Sequence, residues 1–186
     1  MGADSLPNGE YVANTINAVQ LRGNDLTMGQ SATWRNIGIP YYVTGDMTVA
    51  GGSNPTLTIE AGVETRWAAD CSLTIGEVEP GSLVAVGAAG KPVKFTGMGN
   101  RAGFWRGFIF GRNASGCRLE GVIIENAETG AEIWEDLGPF IRNSTFRSCS
   151  EYAIERMYEG GTSFILGLGN QFEGNAQDQN ENEVEE

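Results

Sequence analysis

Four tryptophans and a scatter of arginines carry the chemistry this chain could perform. Trp34, Trp67, Trp105 and Trp134 each bring an indole, and an exposed indole face stacks on a sugar ring. Arg106 follows Trp105 directly, and a guanidinium beside such a platform donates to hydroxyl or carboxylate oxygens. Trp67, Trp105, Trp134 and Arg106 are therefore the candidate ligand-binding residues. The competing reading has Trp67 and Trp105 filling space at corners of the fold or under a cap.

Catalytic sets are harder to find. Glycoside hydrolysis needs two carboxylates at a defined separation. Asp4, Asp25, Asp46, Asp70, Asp136 and Asp178 never fall in adjacent pairs, and the one compact patch is Glu132, Glu135 and Asp136. A turn with solvated charges accounts for that patch more simply. A polysaccharide lyase uses Arg or Lys as base with calcium held by acidic residues. Arg106, Arg112, Arg118, Arg142 and Arg147 supply cations, and Glu120, Glu125, Glu128 and Glu151 supply carboxylates. Pairing of these opposite charges on outer walls is the simpler reading, each pair contributing little. Calcium is the one cofactor these residues allow, and no residue is assigned as catalytic or as a metal ligand. Gly87-Ala88-Ala89-Gly90-Lys91-Pro92 falls short of a phosphate loop, because Ala85 stands for Gly and Pro92 for Ser or Thr. Asn113-Ala114-Ser115 and Asn143-Ser144-Thr145 match a glycosylation sequon, a pattern short enough to arise by chance.

Charge narrows the partners. The 186 residues hold 24 Asp and Glu against 12 Lys and Arg, with no His, for a net charge of −12. Such a surface repels phosphate backbones and anionic membranes, so neither nucleic acid nor membrane insertion is expected. No apolar run approaches the roughly 20 residues that span a bilayer. The three cysteines, Cys71, Cys117 and Cys149, are too few and wrongly spaced for a zinc site or a disulfide framework. Cys149 reads as a buried small apolar residue, and a Cys117–Cys149 bridge requires the two to sit on neighbouring coils.

The elements that would position these groups show in a loose repeat. Leu119, Val122, Ile124, Ala127 and Ala131 are answered 22 residues on by Ile141, Ser144, Phe146, Cys149 and Ala153. Leu168, Phe172 and Asn175 begin a third copy. Units this thin cannot bury an apolar face alone and must stack as a solenoid. Short β runs punctuated by Gly or Pro agree, among them Leu57-Thr58-Ile59, Leu73-Thr74-Ile75, Leu83-Val84-Ala85-Val86 and Val122-Ile123-Ile124. Alternation points Leu57, Ile59, Leu73, Ile75, Leu83, Val93, Phe95, Leu119, Ile124, Ile141, Phe146 and Ile154 inward. Thr58, Thr74, Lys94 and Glu125 point outward. The expected organisation is an N-terminal cap over 1–33, a solenoid over 34–175 and an acidic tail over 176–186 too polar to repay its ordering.

Several phrases resemble those of bacterial right-handed parallel β-helix proteins of the pectin-lyase-like superfamily. Thr56-Leu57-Thr58-Ile59-Glu60-Ala61-Gly62-Val63 is similar to their LTIxPGV phrase, and Trp34 with Pro40 to Val49 to the lead-in just upstream. Ser82 to Gly87 followed by Lys91-Pro92-Val93-Lys94-Phe95-Thr96 is similar to their next phrase. Phe104-Trp105-Arg106-Gly107-Phe108-Ile109-Phe110 and Asn143-Ser144-Thr145-Phe146 are similar to later rungs. Glu60-Ala61, where proline is usual, and the segment from Asp70 to Pro80 depart from the pattern. The resemblance implies an all-β, right-handed parallel β-helix of five to seven coils in a secreted or surface-attached protein. Such proteins mostly lack an assigned activity, though some relatives cleave or bind polysaccharides. The catalytic set of β-helix galacturonases is missing, since its histidine cannot exist here. The expected function is thus a non-catalytic module that binds polysaccharide or another surface protein, or serves as a scaffold. A calcium-dependent polysaccharide lyase and a self-associating structural module are the alternatives. An ice-binding threonine face is not expected, because Thr56, Thr58, Thr65 and Thr74 keep no regular spacing.

Overall fold

The computed structural model describes residues 15–23, 26–138, 140–158 and 168–179. Nineteen short strands, β1 (Val19–Leu21) to β19 (Gln177–Gln179), run through them. Up to β17 every third strand joins the same sheet, and the described residues beyond it add β18 and β19 to the first two sheets. The first sheet is β1-β4-β7-β10-β13-β16-β18, the second β2-β5-β8-β11-β14-β17-β19, and the third β3-β6-β9-β12-β15. All strand pairs are parallel, so the chain winds as an all-β solenoid of about six turns. No helix of the described residues is long and apolar enough to cross a membrane.

Alternation along these strands builds the core. All twelve residues expected to point inward are at most 2% exposed. They stack in rows, since neighbouring parallel strands lie about 4.8 Å apart. One row of the first sheet is Tyr41, Thr65, Phe95, Ile124, Phe146 and Phe172. Thr65 is the polar member and is satisfied: its Oγ1 accepts from Trp67 Nε1 at 3.0 Å and donates to the Lys94 carbonyl at 3.4 Å. Aromatic contacts tie the rows together. Trp67 stacks on Trp105 at 5.3 Å, and Phe108 meets Phe95 and Trp105 edge-on at 4.8 and 5.4 Å. Of the residues expected outside, Thr58 and Lys94 are half-buried. Thr74 and Glu125 stand in outward rows yet are buried by their neighbours, Glu125 under Lys94 and Arg147.

The repeat holds, with one slip. Leu119 pairs with Ile141 and Ile124 with Phe146, in the 22-residue step. Ala131, however, pairs with Ile154 instead of Ala153, because one extra residue is taken up at the corner. Within 1–33, β1 to β3 already pair as the first coil, and within 176–186, β19 pairs with β17. The coil thus extends past both ends of 34–175. Within those two stretches, residues 1–14, 24–25 and 180–186 lie outside the described residues. The three cysteines are free thiols, so no Cys117–Cys149 bridge is formed. Burial pushes Cys117 up to about 11 and Cys149 up to about 12, which makes both poor nucleophiles.

Candidate functional site

The outer face of the second sheet gathers the groups that could hold a ligand. Its outward row is Thr27, Thr48, Thr74, Ile109, Glu132 and Glu155, one residue per coil. The corner before β11 (Gly107–Phe110) carries Arg106, and the residue after β14 (Ala131–Ile133) is Trp134. The Trp134 amide donates to the Phe110 carbonyl, which sets its side chain beside Gly111. Gly111 has no side chain because its backbone packs against that of Glu77; a Cβ there would sit 2.5 Å from the Glu77 Cα.

Trp134 is held from two sides. Its Nε1 donates to Glu132 Oε1 at 2.6 Å, and the Arg112 guanidinium sits 5.9 Å from the ring centroid. Arg112 also lies 3.9 Å from Glu135, a weak exposed pair. Arg106 is exposed, and among the described residues its guanidinium makes no ion pair. Together with Glu77 and Ile109 these residues line a depression of about 400 Å³. The Glu77 loop is pinned by Asn113, whose Nδ2 donates to the Glu77 and Val78 carbonyls at 3.1 Å. A smaller hollow of about 150 Å³ continues from it, sharing Arg106, Ile109 and Glu132 and adding Glu128, Thr129, Glu151 and Glu155. Burial raises the Glu155 carboxyl above its ordinary range, and the charges of Glu132 and Glu151 push the same way.

Two of the four candidate residues, Trp134 and Arg106, therefore meet in one depression. The other two are placed differently. Trp67 and Trp105 are fully buried and stacked on each other, so neither offers a face to a surface ligand. Trp34 is buried against Tyr41 in the same manner. Apolar transfer explains why: an indole between coils removes more surface from water than any other side chain could there.

The remaining charged residues spread over three walls. Glu125 bridges Lys94 and Arg147 across coils of the first sheet at 2.6 Å each. Arg118 pairs with Glu120 on the third sheet, beside an open hollow of about 610 Å³ that also holds Arg142. That hollow carries no exposed aromatic face; its Phe140 is buried. The compact patch splits, with Glu132 in the groove, Glu135 near Arg112 and Asp136 accepting from the Gly138 amide at 2.9 Å in a turn. Among the described residues no group of three or more acidic or cysteine side chains is placed to hold a metal ion.

Glu155, Glu77 and the row Thr27–Thr48–Thr74 escape a reading of the sequence. The signal for Glu155 was present: Ile133 and Ile154 mark the inward rows of adjacent strands, which puts Glu132 and Glu155 outward in register. The threonine row needed coil lengths that vary. Thr65, counted with the threonines above, points inward instead. No family model matches this chain, and no match was found among curated proteins or among solved structures.

Proposed function

We propose that this chain is a non-catalytic binding module of the β-helix type, which holds carbohydrate against Trp134 on the outer face of its second sheet. The observation that carries this reading is Trp134 itself. It is the one tryptophan of four at the surface, its Nε1 is fixed by Glu132, and the uncommitted Arg106 lines the same depression. A sugar needs this combination: a flat apolar face for its C–H groups and flanking charged groups for its hydroxyls. A secreted or cell-surface setting belongs to the same proposal and follows from the resemblance to bacterial β-helix proteins.

The test uses intrinsic fluorescence. With three tryptophans buried, any change on sugar addition reports Trp134. A titration against neutral, acidic and amino-bearing oligosaccharides is expected to shift the emission for at least one class, and Trp134→Ala to abolish the response while thermal unfolding stays close to wild type. No response to any sugar sinks the reading. Appearance of unsaturated products on incubation with acidic polysaccharide and calcium would replace it with a lyase.

A further inference from the structure

The depression at Trp134 is the middle of a longer groove. At one end Glu77 is shared with a hollow of about 280 Å³ that contains Thr27, Thr48, Ala50, Val78 and Glu79. At the other end Arg106, Ile109 and Glu132 are shared with the hollow that reaches Glu151 and Glu155. The three stretches follow one another from β2 to β17, across six coils of the second sheet. At about 4.8 Å per step this is roughly 24 Å along the solenoid axis. The groove runs perpendicular to the strands, and Thr27, Thr48, Ile109, Glu132 and Glu155 of the outward row line it, while Thr74 is buried and Glu77 takes its place at that coil. A single sugar would fill only a fraction of it.

The charge along the groove is one-sided. Six carboxylates line it, Glu77, Glu79, Glu128, Glu132, Glu151 and Glu155, against the two guanidinium groups of Arg106 and Arg112. Arg112 lies over Trp134 and near Glu135, which leaves Arg106 as the uncommitted cation. A polyuronate laid here would set its carboxylates against this excess, in a chain whose net charge is already −12. A polymer carrying ammonium groups would gain where the uronate loses. Trp134, the outward hydroxyls of Thr27 and Thr48, and Thr129 supply the stacking and hydrogen-bonding a sugar backbone needs.

We infer that the groove takes a linear amino-sugar polymer, lying along the solenoid axis with its ammonium groups toward Glu128, Glu151 and Glu155 and one ring stacked on Trp134. This rests on the carbohydrate reading above and goes further by naming the charge class and the polymer's direction. The row spacing supports the fit, since one coil step is comparable with one sugar unit of an extended chain. Because the pairing is electrostatic and partly exposed, it weakens with added salt.

The experiment is calorimetric titration of the full chain with β-1,4-linked glucosamine oligomers from dimer to hexamer at mildly acidic pH. Fully N-acetylated oligomers, oligogalacturonates and oligolysine serve as comparisons. Affinity is expected to rise with glucosamine chain length, to fall with salt, and to drop about tenfold or more in Trp134→Ala. The variant E128Q/E151Q/E155Q leaves the Glu132–Trp134 contact intact and is expected to weaken the glucosamine oligomers severalfold while sparing any residual N-acetylated binding. Should that variant misfold, E155Q alone and the salt dependence of the wild type read the same effect. Tighter binding of the oligogalacturonates or the N-acetylated oligomers overturns the amino-sugar assignment and leaves a carbohydrate module standing. Oligolysine binding as tightly, with no response to Trp134→Ala, overturns it in favour of a basic protein segment. Failure of every glycan overturns both readings.

Discussion

Glu125 and Glu155 both project from the outer walls, yet their neighbours drive them in opposite directions. Burial acts to raise Glu125, but hydrogen bonds and charge from Lys94 and Arg147 outweigh it and hold the carboxyl below its ordinary range. A depressed folded value stabilises the fold above the unfolded value and loses that contribution as pH falls through the folded one. Lys94 and Arg147 remain 32% and 40% exposed, so screening keeps the magnitude modest. Glu125→Gln is expected to cost about 1–2 kcal/mol at neutral pH and to converge on wild type below the ordinary carboxylate range. Glu155 carries the reverse sign. Burial first, then Glu132 and Glu151, raise it, so the folded state loses stability as pH climbs from the unfolded value to the folded one. Glu155→Gln is expected to gain about 0.3 kcal/mol at neutral pH, a figure discounted for solvent screening, and nothing in acid. Urea denaturation of both variants at the two pH values checks the pair. If both shift the same way with pH, the assignment of their surroundings is wrong.

At the scale of strands and corners, the inward half of the fold was legible and the outward half was not. Burial imposes a rule that residue types obey, so Leu57, Ile59, Leu73 and Ile75 announced their direction by alternation with polar neighbours. The outer groove has no such rule. Its residues meet because successive coils take 22, 24, 30, 29, 22 and 26 residues along Val19, Tyr41, Thr65, Phe95, Ile124, Phe146 and Phe172. Arg106 and Trp134 come together only through that uneven count. The same unevenness hid the slip that pairs Ala131 with Ile154. Corners also carry tight backbone requirements. Gly107 opens β11 with φ of +103°, and a Cβ there would collide with the Thr129 carbonyl oxygen. Gly90 has φ of +69° but open space around it. Gly107→Ala is expected to cost more than about 3 kcal/mol, because strain and collision add, whereas Gly90→Ala should cost about 1 kcal/mol from strain alone. Chemical denaturation of the two variants measures the difference. Equal losses would mean that the close approach at β11 is not part of the folded backbone.

For the molecule as a whole, stability is a sum over neighbours stacked in one dimension. Each coil buries its residues against the coil before and the coil after, so a coil with a neighbour on both sides gains twice what an end coil gains. The inward rows lose apolar character toward the C-terminal end. In the second sheet Leu73, Phe108 and Ile154 give way to Gln179, and Ile75, Phe110 and Ile133 give way to Arg156. In the first sheet Phe146 is fully buried, while its neighbour Phe172 is only half-buried on β18 (Gln171–Glu173), whose flanking residues are exposed. β10 (Val93–Gly97) and β11 stand at the opposite extreme, with Phe108 in ring contact with both Phe95 and Phe110 and paired strands on both sides. Opening free energy should therefore peak at the centre and fall toward both ends. Amide hydrogen exchange is expected to show slowest exchange for Phe95 and Phe108, intermediate rates for β4 (Tyr41–Val43) and β16 (Thr145–Arg147), and fastest strand exchange in β1, β18 and β19. Because the groove at Trp134 lies over β11 and β14, it sits on the most protected coils, so a ligand would meet a site already formed and pay little to order it. Uniform protection from β1 to β19 would show all-or-none opening and would refute the nearest-neighbour account. A protection maximum at either end would do the same.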